Sequence, residues 1–334
     1  MSGGPGAARL EVEEILRLAA RIRELQRGRT GSADEAEVAR IFTGARGADL
    51  TALKNAVDET SDHRDLHQLL FHDVDDHALR ESILEHFARE AAPSGEVKIL
   101  SDIDDTLYAN WKDRRYPKKT VYPGVLQLHK ELDRGPGEQR GRAGDLTFVT
   151  ARPGDRIGLV ETSTRGALSG LGVEGATVLT GGFTRLLTNR SIAMKKLENF
   201  HQYRRIYPEY GFVFIGDSGQ GDIHFGVEML AAAPGSVRTV LIHDVVATPE
   251  EARREYARGG VRLFDSYVGA AVEALELGLI SPAGAARVAH AARAELAAIA
   301  FASELQAAAR WVELDRDLAR LDGALPPGDR LSGG

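Results

Sequence analysis

The residues of this chain best suited to chemistry are carboxylates that follow two apolar runs. The run 97–100 is followed, after Ser101, by Asp102, Asp104 and Asp105, and the run 212–215 by Asp217 and Asp222. Asp102 and Asp104 are two residues apart, so both can converge on one point where the chain turns. Carboxylates held close together repel each other, and a divalent cation removes that cost. Oxygen ligands from Asp102, Asp104 and Asp217 suit Mg²⁺.

A hydroxyl and two lysines occur where they could hold a phosphate group. A third apolar run, 146–149, ends at Thr150. The Thr150 hydroxyl can bind a phosphate oxygen at that strand end. Lys195 or Lys196, near the start of a predicted helix, can reach the same phosphate from the other side. The residues therefore predict a site for a metal ion and a phosphate group.

Such a site needs a sheet whose strands end side by side. Six apolar runs are continuous rather than alternating, which predicts strands buried on both faces: 97–100, 146–149, 177–179, 212–215, 237–242 and 261–264. Helical stretches lie between them at 124–132, 155–168, 192–206, 222–232 and 249–256. The last is predicted to have Thr248 as its cap and Pro249 at its first position. The alternation predicts an α/β fold with a mostly parallel sheet and ligands beyond the carboxyl ends of its strands.

The pattern divides the chain into three regions. Residues 1–92 have apolar residues at helix spacing and no strand signal, which predicts a helical N-terminal region. Residues 96–280 carry the alternating strands and helices. Residues 281–334 form an Ala-rich helical extension that Ser281 can cap and Pro282 can start. A single helix there would run about 60 Å. We therefore expect it to break in two, to pack on the N-terminal helices, or to cross to a partner subunit in a homodimer.

Composition excludes several classes of function. The 334 residues include no cysteine, which excludes disulfides, thiolate metal sites and a cysteine nucleophile. Lys and Arg number 42 against 49 Asp and Glu, and the net charge of −7 gives no overall attraction to nucleic acid or anionic lipid. No apolar run reaches about 18 residues, and residues 1–8 lack the features of a signal peptide. We expect a cytoplasmic protein without a transmembrane segment.

Four sequence elements, in this order, resemble those of the haloacid dehalogenase-like phosphohydrolases. They are Asp-x-Asp-x-Thr at 102–106, a hydroxyl at 150, a lysine at 195 or 196, and Gly-Asp at 216–217 with a further acid at 222. Three motifs resemble still more closely those of the actin-patch-associated phosphatidate phosphatase family and its bacterial relatives. They are Ser-Asp-Ile-Asp-Asp-Thr, Thr-Ala-Arg-Pro and Gly-Asp-Ser-Gly-Gln-x-Asp. The resemblance covers roughly residues 97–241. It implies a Rossmann-like core with a minimal cap.

The resemblance also implies catalytic roles. Asp102 would be the nucleophile that forms an aspartyl phosphate. Asp104 would protonate the leaving group and then activate water, as a general acid and base. Thr150 and one lysine would hold phosphate oxygens, and Lys196 fits the spacing of the family better than Lys195.

The resemblance implies a Mg²⁺ site as well. The ion would bind Asp102, the backbone carbonyl of Asp104, and Asp217, while Asp222 would support the metal or its waters. Further candidates for substrate binding are Thr106, Arg152 and Lys195. Asp105 and Ser218 lie near the site without an assigned role.

The spacing of the motifs bears on the substrate. From Thr106 to Thr150 and from Thr150 to Lys196 the chain runs under 50 residues each time, too short for a large cap domain. An uncapped site admits bulky substrates, such as a lipid phosphate at a membrane surface. The segment 111–119 has five basic residues and one acid with aromatics beside them. This predicts either a flap that meets an anionic substrate or membrane, or a solvated loop.

The substrate and even catalysis have alternatives at this stage. Phosphatidate is implied by the resemblance alone. A phosphatase of a soluble metabolite or of a phosphoprotein would carry the same motifs. A non-catalytic scaffold on the same fold is the alternative from another class of protein, although intact acids at 102 and 104 argue against it.

Overall fold

The computed structural model describes most of the chain, in two units. The described residues are 9–27, 30–58, 65–138, 146–153, 177–181, 189–219 and 221–331. The first unit comprises Met1–Ser94 and Phe200–Tyr210, and the second comprises Gly95–Asn199 and Gly211–Gly334. The second unit therefore includes the C-terminal segment that the sequence analysis sets apart as an extension.

The first unit is helical, as its sequence predicts. Its helices are α1 (Val12–Leu25), α2 (Ser32–Gly44), α3 (Gly47–Asp58), the single turn α4 (Leu66–Gln68), a π-helical turn (Leu69–Asp73) and α5 (His77–Glu90). The described part of residues 9–94 contains no strand. Apolar side chains at helix spacing form its core, where Phe42 and Phe87 meet edge to face at 5.2 Å between ring centroids. The buried pair of Lys54 and Glu209, 2.7 Å apart, joins α3 to the segment Phe200–Tyr210.

The second unit contains a six-stranded sheet in which neighbouring strands are parallel. Its strands are β1 (Val97–Ser101), β2 (Leu146–Pro153), β3 (Thr177–Gly181), β4 (Gly211–Asp217), β5 (Val237–His243) and β6 (Val261–Phe264). Their order is β3-β2-β1-β4-β5-β6. All six predicted strands are confirmed, because strands buried on both faces are apolar along their whole length. The predicted α/β class is confirmed with them.

Five of the six strands run further than predicted at the carboxyl edge of the sheet, and β2 and β4 bear on the site. Strand β2 continues through Thr150 to Pro153, which pairs with Gly181 of β3 after an irregularity in register. Strand β4 continues to Asp217, which pairs with His243 of β5. Thr150 therefore lies within its strand and not after it, because pairing with β3 carries the backbone onward. Since β1 lies between β2 and β4, the ends of these three strands are neighbours.

The helices of the second unit lie largely where the sequence predicts them. They are α6 (Val125–Arg134), α7 (Asn189–Ile206), α8 (Asp222–Ala232), α9 (Glu250–Arg258), α10 (Tyr267–Glu276), α11 (Pro282–Ala297) and α12 (Glu304–Ala324). The residues of α7 from Phe200 onward belong to the first unit. The helix predicted over 155–168 lies outside the described residues. The predicted cap of α9 is wrong, since the helix begins at Glu250 after Pro249. The Asp244 carboxylate accepts hydrogen bonds from the amide and hydroxyl of Thr248 at 2.8 and 3.0 Å, so Thr248 belongs to the preceding turn.

Helix α10 has no counterpart in the sequence analysis. Seven residues of this helix are buried: Tyr267, Val268, Gly269, Ala270, Ala271, Val272 and Ala274. A helix with small, apolar side chains on nearly every side lacks the polar face that marks an amphipathic helix. The Ser266 hydroxyl caps it by accepting from the amide of Gly269 at 3.4 Å.

The C-terminal segment breaks into two helices, which is one of the three expected outcomes. Ser281 caps α11 by accepting from the amide of Gly284 at 2.8 Å, and Pro282 is its first residue, as predicted. Helix α11 packs on α6 and α10, and α12 packs on α10. At that contact the Ser266 hydroxyl donates to the Asp317 carboxylate at 2.8 Å. Both helices therefore help to complete the core of the second unit.

The imidazole of His129 in α6 makes stability depend on pH. It is buried in the core, has no hydrogen-bond partner in the described part of the chain, and its ring is nearly perpendicular to that of Phe148. Burial lowers its pKa to about 4 from an ordinary value near 6.5. The unfolded chain therefore binds the proton first as pH falls, and stability is lost below about pH 6.5.

We expect His129→Leu to remove this loss of stability at low pH. Between about pH 7.5 and about pH 5, the unfolding free energy of the wild type should fall by about 2 kcal/mol more than that of the variant. Urea denaturation at the two pH values measures the difference. The matched control is His224→Leu, which makes the same change at an exposed histidine. An equal fall in His129→Leu and in the wild type would contradict the prediction.

Candidate active site

Strand order brings three acidic residues to one place. Asp102 follows β1, and its amide donates to the carbonyl of Ile215 in β4 at 2.8 Å. This bond extends the parallel ladder, so Asp102 lies beside the end of β4. Asp217 is the last residue of β4, and Asp222 is the first residue of α8. The carboxyl edge of the sheet thus gathers side chains more than 100 residues apart in the sequence.

Gly216 allows Asp222 to approach the strand end. A β-carbon at position 216 would lie 2.5 Å from Oδ2 of Asp222, closer than such contacts occur. The same oxygen accepts a hydrogen bond from the amide of Asp217 at 3.3 Å. A residue with a side chain at 216 would displace the carboxylate, so the glycine is required by close approach.

Asp102, Asp217 and Asp222 form a buried carboxylate cluster. Each offers one oxygen, and the three oxygens lie within 4.8 Å of one another. The Nζ atom of Lys196 in α7 lies 2.6 Å from Oδ1 of Asp102 and 2.5 Å from Oδ1 of Asp222. One buried ammonium therefore faces three buried carboxylates.

The carboxylate cluster holds more negative charge than Lys196 can balance. Burial raises the pKa of Asp102 to about 7; Asp222 and Asp104 also raise it, and Lys196 opposes the rise. Burial and the neighbouring carboxylates hold the pKa of Asp217 well above its ordinary value. Burial by itself would lower the pKa of Lys196, but Asp102 and Asp222 raise it, so this side chain stays an ammonium. The site favours the arrival of further positive charge.

The chemistry of the cluster fits a divalent metal ion. Oδ2 of Asp102 is buried and has no hydrogen-bond partner among the residues that the structure describes. A carboxylate oxygen in that position is costly unless a cation or a ligand reaches it. The donors are all hard oxygens, which suit ions of the Mg²⁺, Ca²⁺ and Mn²⁺ type. The buried cluster could therefore bind a metal ion through three of the four predicted acids.

The fourth predicted acid, Asp104, has a different environment. Its carboxylate lies outside the carboxylate cluster. Oδ1 of Asp104 accepts a hydrogen bond from Nδ2 of Asn110 at 2.6 Å. Asp104 is 9% exposed whereas Asp217 is fully buried, so Asp104 has the better access to protons from solvent.

Asp105 shapes the segment 110–119, here called the basic loop. Its backbone has a φ of 60°, in the left-handed region that few non-glycine residues occupy. Its buried carboxylate accepts hydrogen bonds at 2.7–3.3 Å from four successive loop amides, those of Asn110, Trp111, Lys112 and Asp113. The sequence analysis assigns Asp105 no role. Only the return of the chain in three dimensions brings these amides to it.

The structure distinguishes the two candidate lysines. Lys195 pairs with Glu198 at 2.8 Å and lies on the outer side of α7. Lys196 is buried and contacts the carboxylate cluster. Of the two, Lys196 therefore has the position expected of a phosphate ligand.

The remaining predicted residues are placed as follows. Thr106 is buried: its carbonyl accepts from the Tyr267 hydroxyl, and its own hydroxyl has no partner. The backbones of Thr150 and Arg152 lie in β2, at the strand next to β1. The side chains of those two residues lie outside the described part of the structure.

Asp244 is a neighbour of the site that the sequence analysis missed. It follows β5 and accepts from the hydroxyl of Ser218 at 2.9 Å. The same hydroxyl oxygen accepts from the amide of Val245 at 2.9 Å, so these bonds fix the residue after Asp217. An acid directly after an apolar strand also marks Asp102, and the same signal identifies Asp244.

Comparison with known proteins adds no assignment. The chain matches no family model, no curated protein and no solved structure. Where the structure describes the chain, none of its helices combines the length and the apolar character needed to cross a membrane. The function must therefore be inferred from the geometry and chemistry of the site.

Proposed function

We propose that this protein is a Mg²⁺-dependent phosphatase that hydrolyses a phosphate monoester through an aspartyl phosphate on Asp102. The observation that carries the proposal is the buried carboxylate cluster, with Lys196 opposite it and Oδ2 of Asp102 unpartnered. A cation would relieve the repulsion within the cluster, and a phosphate group would give Lys196 a new anionic partner. The position of Asp102 after an interior strand supports a haloacid dehalogenase-like core, and the short connections between the motifs support a minimal cap.

Asp102, Asp217 and Asp222 would hold the metal ion, and the resemblance adds the backbone carbonyl of Asp104. Bound Mg²⁺ supplies positive charge that reduces the repulsion between an anionic nucleophile and an anionic phosphate. Lys196 adds a second positive charge from the helical side of the site. Its two short contacts to carboxylates hold it in position before substrate binds.

In the first step an oxygen of Asp102 attacks the phosphorus atom, and the bond from phosphorus to the ester oxygen breaks. The carboxylic acid of Asp104 gives its proton to the leaving alkoxide. Lys196 binds a phosphate oxygen and offsets the incoming charge. The products are an alcohol, an aspartyl phosphate at Asp102 and a carboxylate at Asp104.

In the second step water attacks the phosphorus atom of the aspartyl phosphate. The Asp104 carboxylate takes a proton from this water, and the bond between phosphorus and Asp102 breaks. Inorganic phosphate leaves, Asp102 is again a carboxylate and Asp104 again an acid. The hydrogen bond from Asn110 keeps Asp104 beside the site through both proton transfers.

We propose a lipid phosphate, phosphatidate, as the substrate of this cytoplasmic enzyme acting at a membrane surface. The sequence resemblance supports it, and so does the basic loop, whose amides are held by the residue next to Asp104. Lys112 of this loop lies against Gly219, two residues beyond Asp217. Positive charge therefore lies next to the site where an anionic lipid would arrive.

Phosphate release from a panel of esters tests the function and the substrate together. The purified full chain is given micellar phosphatidate, sugar phosphates, nucleotides and a phosphopeptide, first with Mg²⁺ and then after chelation. We expect Mg²⁺-dependent release, with kcat/KM for phosphatidate at least about tenfold above the others. Preference for a water-soluble ester would support the phosphatase activity but would contradict phosphatidate as the substrate. If no ester is hydrolysed in the presence of Mg²⁺, the proposed function is wrong.

A further inference from the structure

The basic loop exposes a large aromatic ring among cations. Trp111 is 70% exposed, so most of its large ring is open to solvent. Four basic residues of the same loop are exposed: Lys112, Arg114, Lys118 and Lys119. Within a chain of net charge −7, this is a local concentration of positive charge.

These four cations form no ion pair with a carboxylate among the described residues. Arg115, in the same loop, pairs with buried Asp113 at 2.9 Å. In the described part of the chain no ion pair joins the other four to an acid, and Lys119 instead lies over the ring of Tyr108 at 4.3 Å. Their charge is therefore available to an anionic partner.

The basic loop is held in shape before any partner binds. Asp105 fixes its first four amides. Nε2 of Gln306 in α12 donates to the carbonyl of Arg114 at 2.9 Å, and the Tyr122 hydroxyl donates to the carboxylate of Asp113 at 2.9 Å. Binding would therefore cost little further ordering of the backbone.

We propose that the basic loop docks the protein on an anionic lipid bilayer, with Trp111 at the level of the headgroups. Tryptophan favours the membrane–water interface, where its ring meets both apolar and polar surroundings. Attraction to an anionic leaflet grows with each cation held close to it. A water-soluble polyanion would pair with the charges but would leave the exposed ring of Trp111 unexplained. The two features together favour the bilayer.

Docking in this way would bring the carboxylate cluster to the membrane. Lys112 contacts Gly219, so the loop borders the strand end that carries Asp217. The inference that this docking presents a lipid phosphate to Asp102 rests on the proposed function. The evidence for the docking surface itself comes only from the residues of the basic loop.

Vesicle sedimentation tests the docking apart from catalysis. The probes are phosphatidylcholine vesicles with and without phosphatidylserine, neither of which is a phosphate monoester. We expect the wild type and Asp102→Asn to bind the phosphatidylserine vesicles equally, and the double variant Arg114→Glu/Lys118→Glu to bind at least about 30-fold more weakly. The matched double variant Lys130→Glu/Arg258→Glu makes the same change of charge at exposed sites away from the loop and should bind like the wild type.

Tryptophan fluorescence tests the role assigned to Trp111. The chain has two tryptophans, so Trp311→Phe leaves Trp111 as the sole emitter. Its emission should shift to the blue on addition of phosphatidylserine vesicles, and rising salt should reverse the shift. Failure to bind vesicles, or equal binding by the loop double variant, overturns the proposal. Binding of soluble polyphosphate without vesicle binding overturns it in favour of a soluble partner. In all these cases phosphate release from a water-soluble ester still reports separately on the proposed function.

Discussion

Asp102→Asn is expected to lower phosphate release at least about 1,000-fold with little effect on the fold. The amide has the shape of the carboxylate but cannot form an acyl phosphate. Its oxygen can still accept from Lys196, which now lies 2.6 Å from the carboxylate. Removing one charge from the carboxylate cluster also relieves repulsion with Asp217 and Asp222. The loss should therefore appear in kcat and not in stability, as measured by initial rates and by thermal unfolding.

The matched control for this variant is Asp317→Asn. Asp317 is also a buried acid of the second unit; it accepts a hydrogen bond from Ser266 and lies outside the carboxylate cluster. We expect it to change thermal stability and to leave kcat within about twofold. Full activity in folded Asp102→Asn would reject Asp102 as the nucleophile.

Asp217→Asn is expected to abolish most of the stabilisation by Mg²⁺. In the wild type, Mg²⁺ at about 100 times its dissociation constant should raise the unfolding free energy by about 2.7 kcal/mol. The variant loses one ligand of the cluster, so this gain should largely disappear, and phosphate release should fall at least about 1,000-fold. Urea denaturation with Mg²⁺ and with a chelator measures the gain.

In the absence of metal, Asp217→Asn should have a higher free energy of unfolding than the wild type. The pKa of Asp217 is held above its ordinary value by burial and by nearby carboxylates, so the folded protein binds this proton more tightly than the unfolded chain. The stability this provides is present at low pH and is lost as pH rises. Asp217→Asn removes the loss and should be the more stable protein near pH 7.5. An equal response to Mg²⁺ in both proteins would argue that the cluster binds no metal.

Local patterns in the sequence predict most of the second unit. Buried parallel strands are apolar along their length, and all six apolar runs form strands. The ends of elements are less well predicted, because the partner strand decides where pairing stops. Strand β2 runs on to Pro153 for this reason. Helix α10 escapes prediction because burial on nearly all sides removes its amphipathic signal.

In the candidate site too, some residues can be predicted from the sequence and others gain their role only in the tertiary structure. Asp102 and Asp217 are recognisable in the sequence because each follows an apolar strand. Nothing local separates Lys195 from Lys196, since the two are adjacent on one helix. The rotation of α7 against the sheet turns Lys196 inward and leaves Lys195 with Glu198. Asp105 likewise gains its role only when the basic loop folds back over it.

The sequence by itself determined the strands, the acids after them and the order in which both occur along the chain. These features follow from short stretches of residues, since burial and turning leave a local signature. The tertiary structure decided which groups share one buried volume: three carboxylates, one ammonium and one unpartnered oxygen. That choice depends on strand order and helix rotation, which are set by packing between distant segments and leave no mark on any single stretch of residues.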